Sequence, residues 1–139
     1  MSAGRPTIDT DRVSIELLES AEIDPNDFNH DAHVYVGWCY LQQFDLLHAV
    51  ERFRSALIRL TRKLGVPDKY HETVTWFFLI LIAERRRGRA ADDWQAFYDA
   101  NRDLFGSGSA ILTRHYSEER LMSPLARQQF LLPDKSLAA

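Results

Sequence analysis

The sequence has a single cysteine, no long apolar run and no large excess of charge of either sign. Cys39 cannot form an internal disulfide, which is typical of proteins from a reducing compartment. A formal net charge of −3 gives no electrostatic reason to expect nucleic acid or an anionic membrane as a partner. The first residues lack the pattern of a signal peptide, so we expect a cytoplasmic protein without a membrane anchor.

The most apolar stretch is residues 76–83, with the sequence WFFLILIA. A helix that crosses a bilayer needs roughly 20 apolar residues, and polar residues such as Glu72 and Glu84 bracket this shorter run. Because the run is apolar on all sides, other parts of the protein should cover the helix that contains it. The pattern predicts a buried central helix over residues 70–86, capped by Asp68.

The remaining pattern is also helical. Hydrophobic residues make up 45% of the chain and charged residues 27%, as in ordinary soluble domains. We expect an all-α single domain over residues 1–139, a compact bundle of five to seven helices with frayed ends at residues 1–8 and 134–139.

Capping residues and apolar spacing place the other helices. Asp9 or Thr10 should cap a helix over residues 11–21, on which Glu19 faces water. A second helix should start near Phe28 or Asn29 and run to about Gln42, and Asp45 should cap a third. Asp92 should cap a helix that carries Trp94, and shorter pieces should begin at Ser117 and Ser123.

The second and third helices carry a spacing that belongs to a known repeat. Across residues 30–63, this spacing resembles one tetratricopeptide unit, with His33 at the position where that family usually has Trp; the matching residues are Gly37, Tyr40, Ala49, Phe53 and Ala56. The resemblance implies a tight helical hairpin and, for the family, peptide recognition. The following residues do not repeat it, and solenoids usually need about three repeats. The whole chain also resembles small helical bacterial proteins without an assigned function, which adds no activity.

Three histidines are the most chemically suggestive residues. His30 and His33 are three positions apart on one helix, so they project from nearly the same face. If the hairpin and the central helix run up, down and up, His71 joins them at one end of the bundle. The three imidazoles could then bind zinc, iron or copper, with Glu72 as a nearby acid or base.

Other interpretations remain open at this stage. His33 could simply fill the hairpin interface. The protein could be a non-catalytic interaction or scaffold module that binds another protein, a second copy of itself or a small-molecule ligand. It could also be a metal-free enzyme that uses His71 and Glu72 as catalytic residues. A weaker second cluster could form from His48, Glu84 and His115 at the opposite end of the bundle.

Two further features have plain explanations. The basic string at residues 85–89 suits the C-terminal end of a helix, where the dipole favours cations. The Gly/Ser segment at residues 106–109 could hold a phosphate, but it lacks the P-loop pattern and is better explained as a turn.

Overall fold

The computed structural model describes residues 8–86, 93–106 and 109–135, and every regular element in these ranges is helical. The α-helices are α1 (Ile15–Glu19), α2 (His30–Gln43), α3 (Leu46–Lys63), α4 (Glu72–Arg85), α5 (Trp94–Ala100), α6 (Ser109–His115), α7 (Glu118–Leu121) and α8 (Pro124–Gln128). Short 3₁₀ turns lie at Pro67–Lys69 and Arg102–Leu104. The all-α class is confirmed.

The described ranges contain eight α-helices, where five to seven were expected. The larger number arises because the chain after Gly106 breaks into three short helices. Ser117 caps α7 and Ser123 caps α8, as predicted, and each hydroxyl accepts a backbone N–H three residues later. None of the helices in the described ranges is long and apolar enough to cross a membrane.

Helix α1 is shorter than the sequence suggested. It spans Ile15–Glu19 instead of residues 11–21, and its cap is Ser14, whose hydroxyl accepts the Leu17 N–H. The helix ends early because Ala21 adopts the left-handed conformation, with φ of 59°. Val13 and Leu18 are buried.

The expectation that Glu19 faces water was wrong. Its carboxylate accepts hydrogen bonds from Tyr40 Oη at 2.9 Å and from both ends of the Arg52 guanidinium at 2.8 and 3.0 Å. Arg52 is the main reason why the pKa of Glu19 lies below its usual value. Because α3 packs on α1, this carboxylate joins three helices.

Helix α4 is the predicted central helix, and α2, α3 and α8 pack around it. It spans Glu72–Arg85, within the predicted residues 70–86. Its cap is His71, and the predicted cap, Asp68, lies in the preceding 3₁₀ turn. The side chains buried along it are Glu72, Thr73, Thr75, Phe77, Phe78, Leu79, Leu81 and Ile82.

The C-terminal end of α4 forms specific contacts. Arg85 makes a two-point ion pair with Asp103, at 2.8 and 2.9 Å, and lowers the pKa of that carboxyl group. Arg86 donates to the side chain of Gln42 on α2. The rest of the basic string, from Arg87 onward, lies outside the described residues.

Helices α2 and α4 run in the same direction. Helix α3, which lies between them in the sequence, runs in the opposite direction. The ring of His30 contacts Phe78, and Gln42, near the other end of α2, contacts Arg86 near the end of α4. Only two residues join α2 to α3, which requires the two packed helices to be antiparallel. The up, down, up order predicted for these helices is therefore observed.

Gly37 allows α2 and α4 to approach each other closely. A Cβ atom at this position would lie 3.2 Å from Leu79 Cδ2 and 3.2 Å from Ile82 Cδ1, but 3.7 Å from Phe53 on α3. The tightest contact at this glycine is therefore with the central helix, whereas the hairpin resemblance attributed it to the approach of α2 and α3.

The chain after α8 lies across α4 as a strap, which we define as residues 129–135. Thr73 on α4, which is completely buried, is within hydrogen-bonding distance of the Ala126 and Gln129 carbonyls and accepts the Leu131 N–H. Phe130 stacks on Trp76 with ring centroids 5.5 Å apart. These contacts close one side of the central helix.

Some terminal and loop predictions lie outside the described ranges. They concern residues 1–7 and 136–139 of the expected frayed ends, Asp92, and positions 107 and 108 of the Gly/Ser segment. The cap of α5 is Asp93, the residue after Asp92. Asp134, which was expected to be frayed, is anchored by hydrogen bonds from the Ser117 backbone N–H and hydroxyl.

Candidate functional site

A cavity of about 280 Å³ lies between α2, α3 and α4. Its apolar walls come from all three helices, and its polar lining consists of His30, His33 and Thr75; the apolar residues are Val34, Phe53, Leu57, Val74, Phe78, Leu79 and Ile82. Protein interiors are packed closely and contain few voids larger than a water molecule. A space of this size beside the central helix is therefore the leading candidate for a binding site.

His30, the first residue of α2, stands at one edge of the cavity. Its Nε2 lies 2.8 Å from the Leu104 carbonyl oxygen, and its ring meets Phe78 edge-on at 5.0 Å. A carbonyl oxygen only accepts hydrogen bonds, so Nε2 is the nitrogen that carries the proton. In the neutral ring, Nδ1 is left as an acceptor.

His33 lies one turn further along α2. Its Nδ1 donates to the Asn29 carbonyl at 2.9 Å, and its ring stacks on Phe28 with a centroid distance of 3.9 Å. Burial lowers the pKa of His33 to about 4, so the ring is neutral at pH 7. Because Nδ1 holds the proton, Nε2 offers a lone pair.

His71 has a structural role at the start of α4. Its Nδ1 accepts the Val74 N–H at 3.2 Å and so caps the helix, while its Nε2 donates to the Leu121 carbonyl at 2.8 Å. Burial is the main cause that lowers its pKa, which favours the neutral ring that both bonds require. A metal or substrate proton at either nitrogen would have to displace one of these bonds.

Glu72, the expected acid or base, is 8% exposed and bound on both oxygens. Arg54 Nε lies 3.1 Å from each oxygen, and the Tyr70 hydroxyl also donates to the carboxylate. Burial and this bond together raise the pKa of Tyr70. Glu72 therefore joins α3 to α4, and it lies outside the described lining of the cavity.

The predicted convergence of the three histidines is only partial. His30 and His33 line the larger cavity, whereas His33 and His71 line a smaller neighbouring space of about 140 Å³. Within the described ranges, no group of three or more His, Cys, Asp or Glu side chains is placed to hold a metal ion. The site with His30, His33 and His71 as ligands of zinc, iron or copper therefore stays a prediction.

The second predicted cluster does not assemble in the part of the chain that the structure describes. His48 is exposed and bonds Asp45, the cap of its own helix, at 2.7 Å. His115 bonds the Ile111 carbonyl within α6, and Glu84 is exposed. Each of these side chains is satisfied locally or by solvent.

The sequence did not reveal the apolar walls of the cavity. Residues such as Leu57, Phe78 and Ile82 recur at the spacing of ordinary core positions, and spacing cannot show whether facing side chains meet or leave a gap. His33 was singled out for its spacing from His30, and it lines this cavity together with His30.

Comparisons of the chain with models of known families, with curated proteins and with solved structures found no match. The function must therefore be argued from the site itself.

Proposed function

We propose that this protein is a non-catalytic binding protein that holds a small, mainly apolar molecule between α2, α3 and α4. The observation that carries the proposal is the cavity of about 280 Å³, whose walls are almost entirely apolar. Cavities between the helices of a bundle are common ligand sites, and apolar cavities of about 150 Å³ already hold benzene.

Among the described residues, the groups that the sequence offered for catalysis, His71 and Glu72, are already occupied, which favours binding over catalysis. His71 uses both ring nitrogens to hold the start of α4, and Arg54 and Tyr70 occupy the carboxylate of Glu72. Burial raises the pKa of the Cys39 thiol, which disfavours the reactive thiolate. These side chains stabilise the fold in the arrangement described.

The experiment is a titration with p-xylene, an uncharged aromatic probe, followed through the methyl resonances of the protein in ¹H–¹³C spectra. We expect saturable shifts for cavity residues such as Leu57 and Ile82 and little change for exposed methyl groups such as those of Leu47. The Val74→Phe variant places a ring into the cavity and should weaken binding about tenfold or more.

The matched control is Leu47→Phe, because Leu47 is 71% exposed on α3 and its ring would lie in solvent. This variant should bind the probe as the parent does. If p-xylene produces no saturable shifts in the parent, or if Val74→Phe and Leu47→Phe bind it equally, the proposal is wrong.

The interaction-module interpretation has one observation in its favour. Met122, Leu125 and Leu132 are 67%, 50% and 69% exposed, and they lie directly after α7, on α8 and on the strap, which are neighbours. Clustered exposed apolar side chains are typical of protein contact surfaces. Sedimentation of the parent and of a Leu132→Ser variant over a range of concentrations tests whether this surface joins two copies.

A further inference from the structure

The polar side chains that line the cavity all use their hydrogen-bond donors within the protein. Nε2 of His30 and Nδ1 of His33 donate to backbone carbonyls, and the Thr75 hydroxyl donates to the His71 carbonyl at 2.9 Å. Every side-chain donor among the described lining residues is therefore used inside the protein. The lining side chains can therefore only accept hydrogen bonds from a ligand.

The cavity also lacks charge among its described lining residues, which include no Asp, Glu, Lys or Arg. An ionic ligand would lose its water without gaining a charged partner, which is strongly unfavourable. Because burial keeps the pKa of His33 at about 4, the imidazole supplies no positive charge at pH 7 either. The occupant should be uncharged.

The volume limits the ligand to a small molecule. At about 280 Å³, the cavity is larger than the roughly 150 Å³ that accommodates benzene and smaller than most sites for drug-sized ligands, which begin near 300 Å³. One ring or two fused rings fit this range, whereas a nucleotide cofactor does not. The rings of Phe53 and Phe78 in the walls suit an aromatic guest.

We infer that the ligand is an uncharged aromatic molecule of one or two rings with a single O–H or N–H group, such as a phenol or an indole, which donates to Nε2 of His33. This inference rests on the proposed function and adds the chemical class of the ligand. We assign specificity to His33, whose Nδ1 is fixed on the Asn29 carbonyl, so that the Nε2 acceptor is held in place.

The test compares three probes of similar shape: p-cresol, 4-methylanisole and p-xylene. Only p-cresol has a donor, so the parent protein should bind it about five- to tenfold more tightly than the other two, the usual effect of one hydrogen bond. Affinities are measured by calorimetry and by the methyl titration described above.

The variant His33→Phe keeps a ring at this position and removes the acceptor. It should bind all three probes with similar affinity. The matched control is His48→Phe, because His48 is an exposed histidine outside the described lining of the cavity. The control should keep the preference for p-cresol, and circular dichroism establishes that both variants are folded.

A measurement on the unmodified protein covers the case in which His33→Phe does not fold. Long-range ¹H–¹⁵N spectra assign the tautomer of each histidine, and they should show His33 with the proton on Nδ1. Addition of p-cresol should shift the Nε2 resonance of His33, and addition of p-xylene should leave it in place.

The outcomes separate the two proposals. If the three probes bind with equal affinity, or if p-cresol leaves the Nε2 resonance of His33 unchanged, the assignment of the ligand class is wrong and the apolar binding site stands. If none of the probes binds, both proposals are wrong.

Discussion

The two sides of the central helix differ in how completely they are closed. Thr73 and Thr75 are both buried on α4, two residues apart, and so face different neighbours. The Thr73 hydroxyl lies within reach of the Ala126, Gln129 and Leu131 backbone groups, whereas the Thr75 hydroxyl bonds the His71 carbonyl and the Tyr70 side chain, both just before α4.

The difference follows from what covers each side. The strap is short and irregular, so its backbone can follow the surface of α4 and pair with Thr73. The opposite side is covered by the two long helices α2 and α3, whose backbone groups bond within each helix. These helices cannot bend into the space between them, so a gap remains where their side chains do not fill it. The closed side stabilises the fold, and the open side is where a ligand would bind.

The largest effect should come from breaking the closed side with Thr73→Val. The substitution keeps the shape but leaves the buried Ala126 carbonyl and the partly buried backbone groups of Gln129 and Leu131 without the hydroxyl, which should cost about 2–4 kcal/mol of the free energy of unfolding. Urea denaturation followed by circular dichroism measures this loss. The variant should still bind p-xylene, because Thr73 lies outside the cavity lining.

The control for this substitution is Thr113→Val, since Thr113 is exposed on α6 and its hydroxyl donates to the Ala110 carbonyl of the same helix. Its stability should change by less than about 0.5 kcal/mol. Equal losses for Thr73→Val and Thr113→Val would show that the strap contributes little to stability.

A smaller effect should appear on the open side when the pH is lowered. The pKa of His33 is about 4 in the folded protein against an ordinary value of 6.5, because burial disfavours the charged ring. Between these pH values the unfolded chain binds a proton that the folded protein does not. The contribution of His33 to the free energy of unfolding is therefore fully present above about pH 6.5, and it decreases as the pH falls toward 4. Because the ring is only half-buried, we expect a loss of about 1–2 kcal/mol.

Denaturation at a series of pH values tests this dependence. Arg52 and Arg85 lower the pKa values of Glu19 and Asp103. These two carboxyl groups therefore change the stability mainly at pH values below their ordinary pKa values of 4.5 and 3.8. The range from pH 6.5 to about 4.5 therefore isolates the histidines, and His33→Phe should flatten the curve there. An unchanged curve would show that His33 is not the residue responsible.

The smallest effect should follow the addition of metal. His71 has no nitrogen free of hydrogen bonds, so excess zinc should leave the melting temperature of the parent within about 1 °C of its metal-free value. A tight three-histidine site would instead add about 2.7 kcal/mol at a zinc concentration of 100 times its dissociation constant. Elemental analysis of untagged protein gives an independent reading.

The reference for both measurements is the triple variant His30→Ala/His33→Ala/His71→Ala. Near one equivalent of metal in the parent and almost none in this variant would establish the three-histidine site and overturn the metal-free arrangement. Such a result would also show that the cap of α4 rearranges when metal binds.

Local signals in the sequence were sufficient for much of the fold. The cap at Asp45 and the apolar spacing after it located α3, and Gly65 follows the end of this helix in the left-handed conformation. The predicted end of α1 failed because its strongest determinants, the left-handed Ala21 and the packing of Glu19 on α3, carry no local signal.

The candidate site was less predictable for the same reason. The spacing of His30 and His33 correctly placed them near each other, and both line the cavity. The second ring nitrogen of His71, Nε2, is occupied by the Leu121 carbonyl, a group 50 residues away in the chain. No spacing within one helix contains that information.

The sequence by itself determined the helical class, the buried helix at α4 and the hairpin of α2 and α3, because helix formation, capping and short links depend on neighbouring residues. Only the tertiary structure decided which nitrogens and oxygens are occupied and where space is left between helices. Hydrogen-bond partners and cavities are set by the relative positions of elements distant in sequence, and those positions follow from the packing of the whole chain.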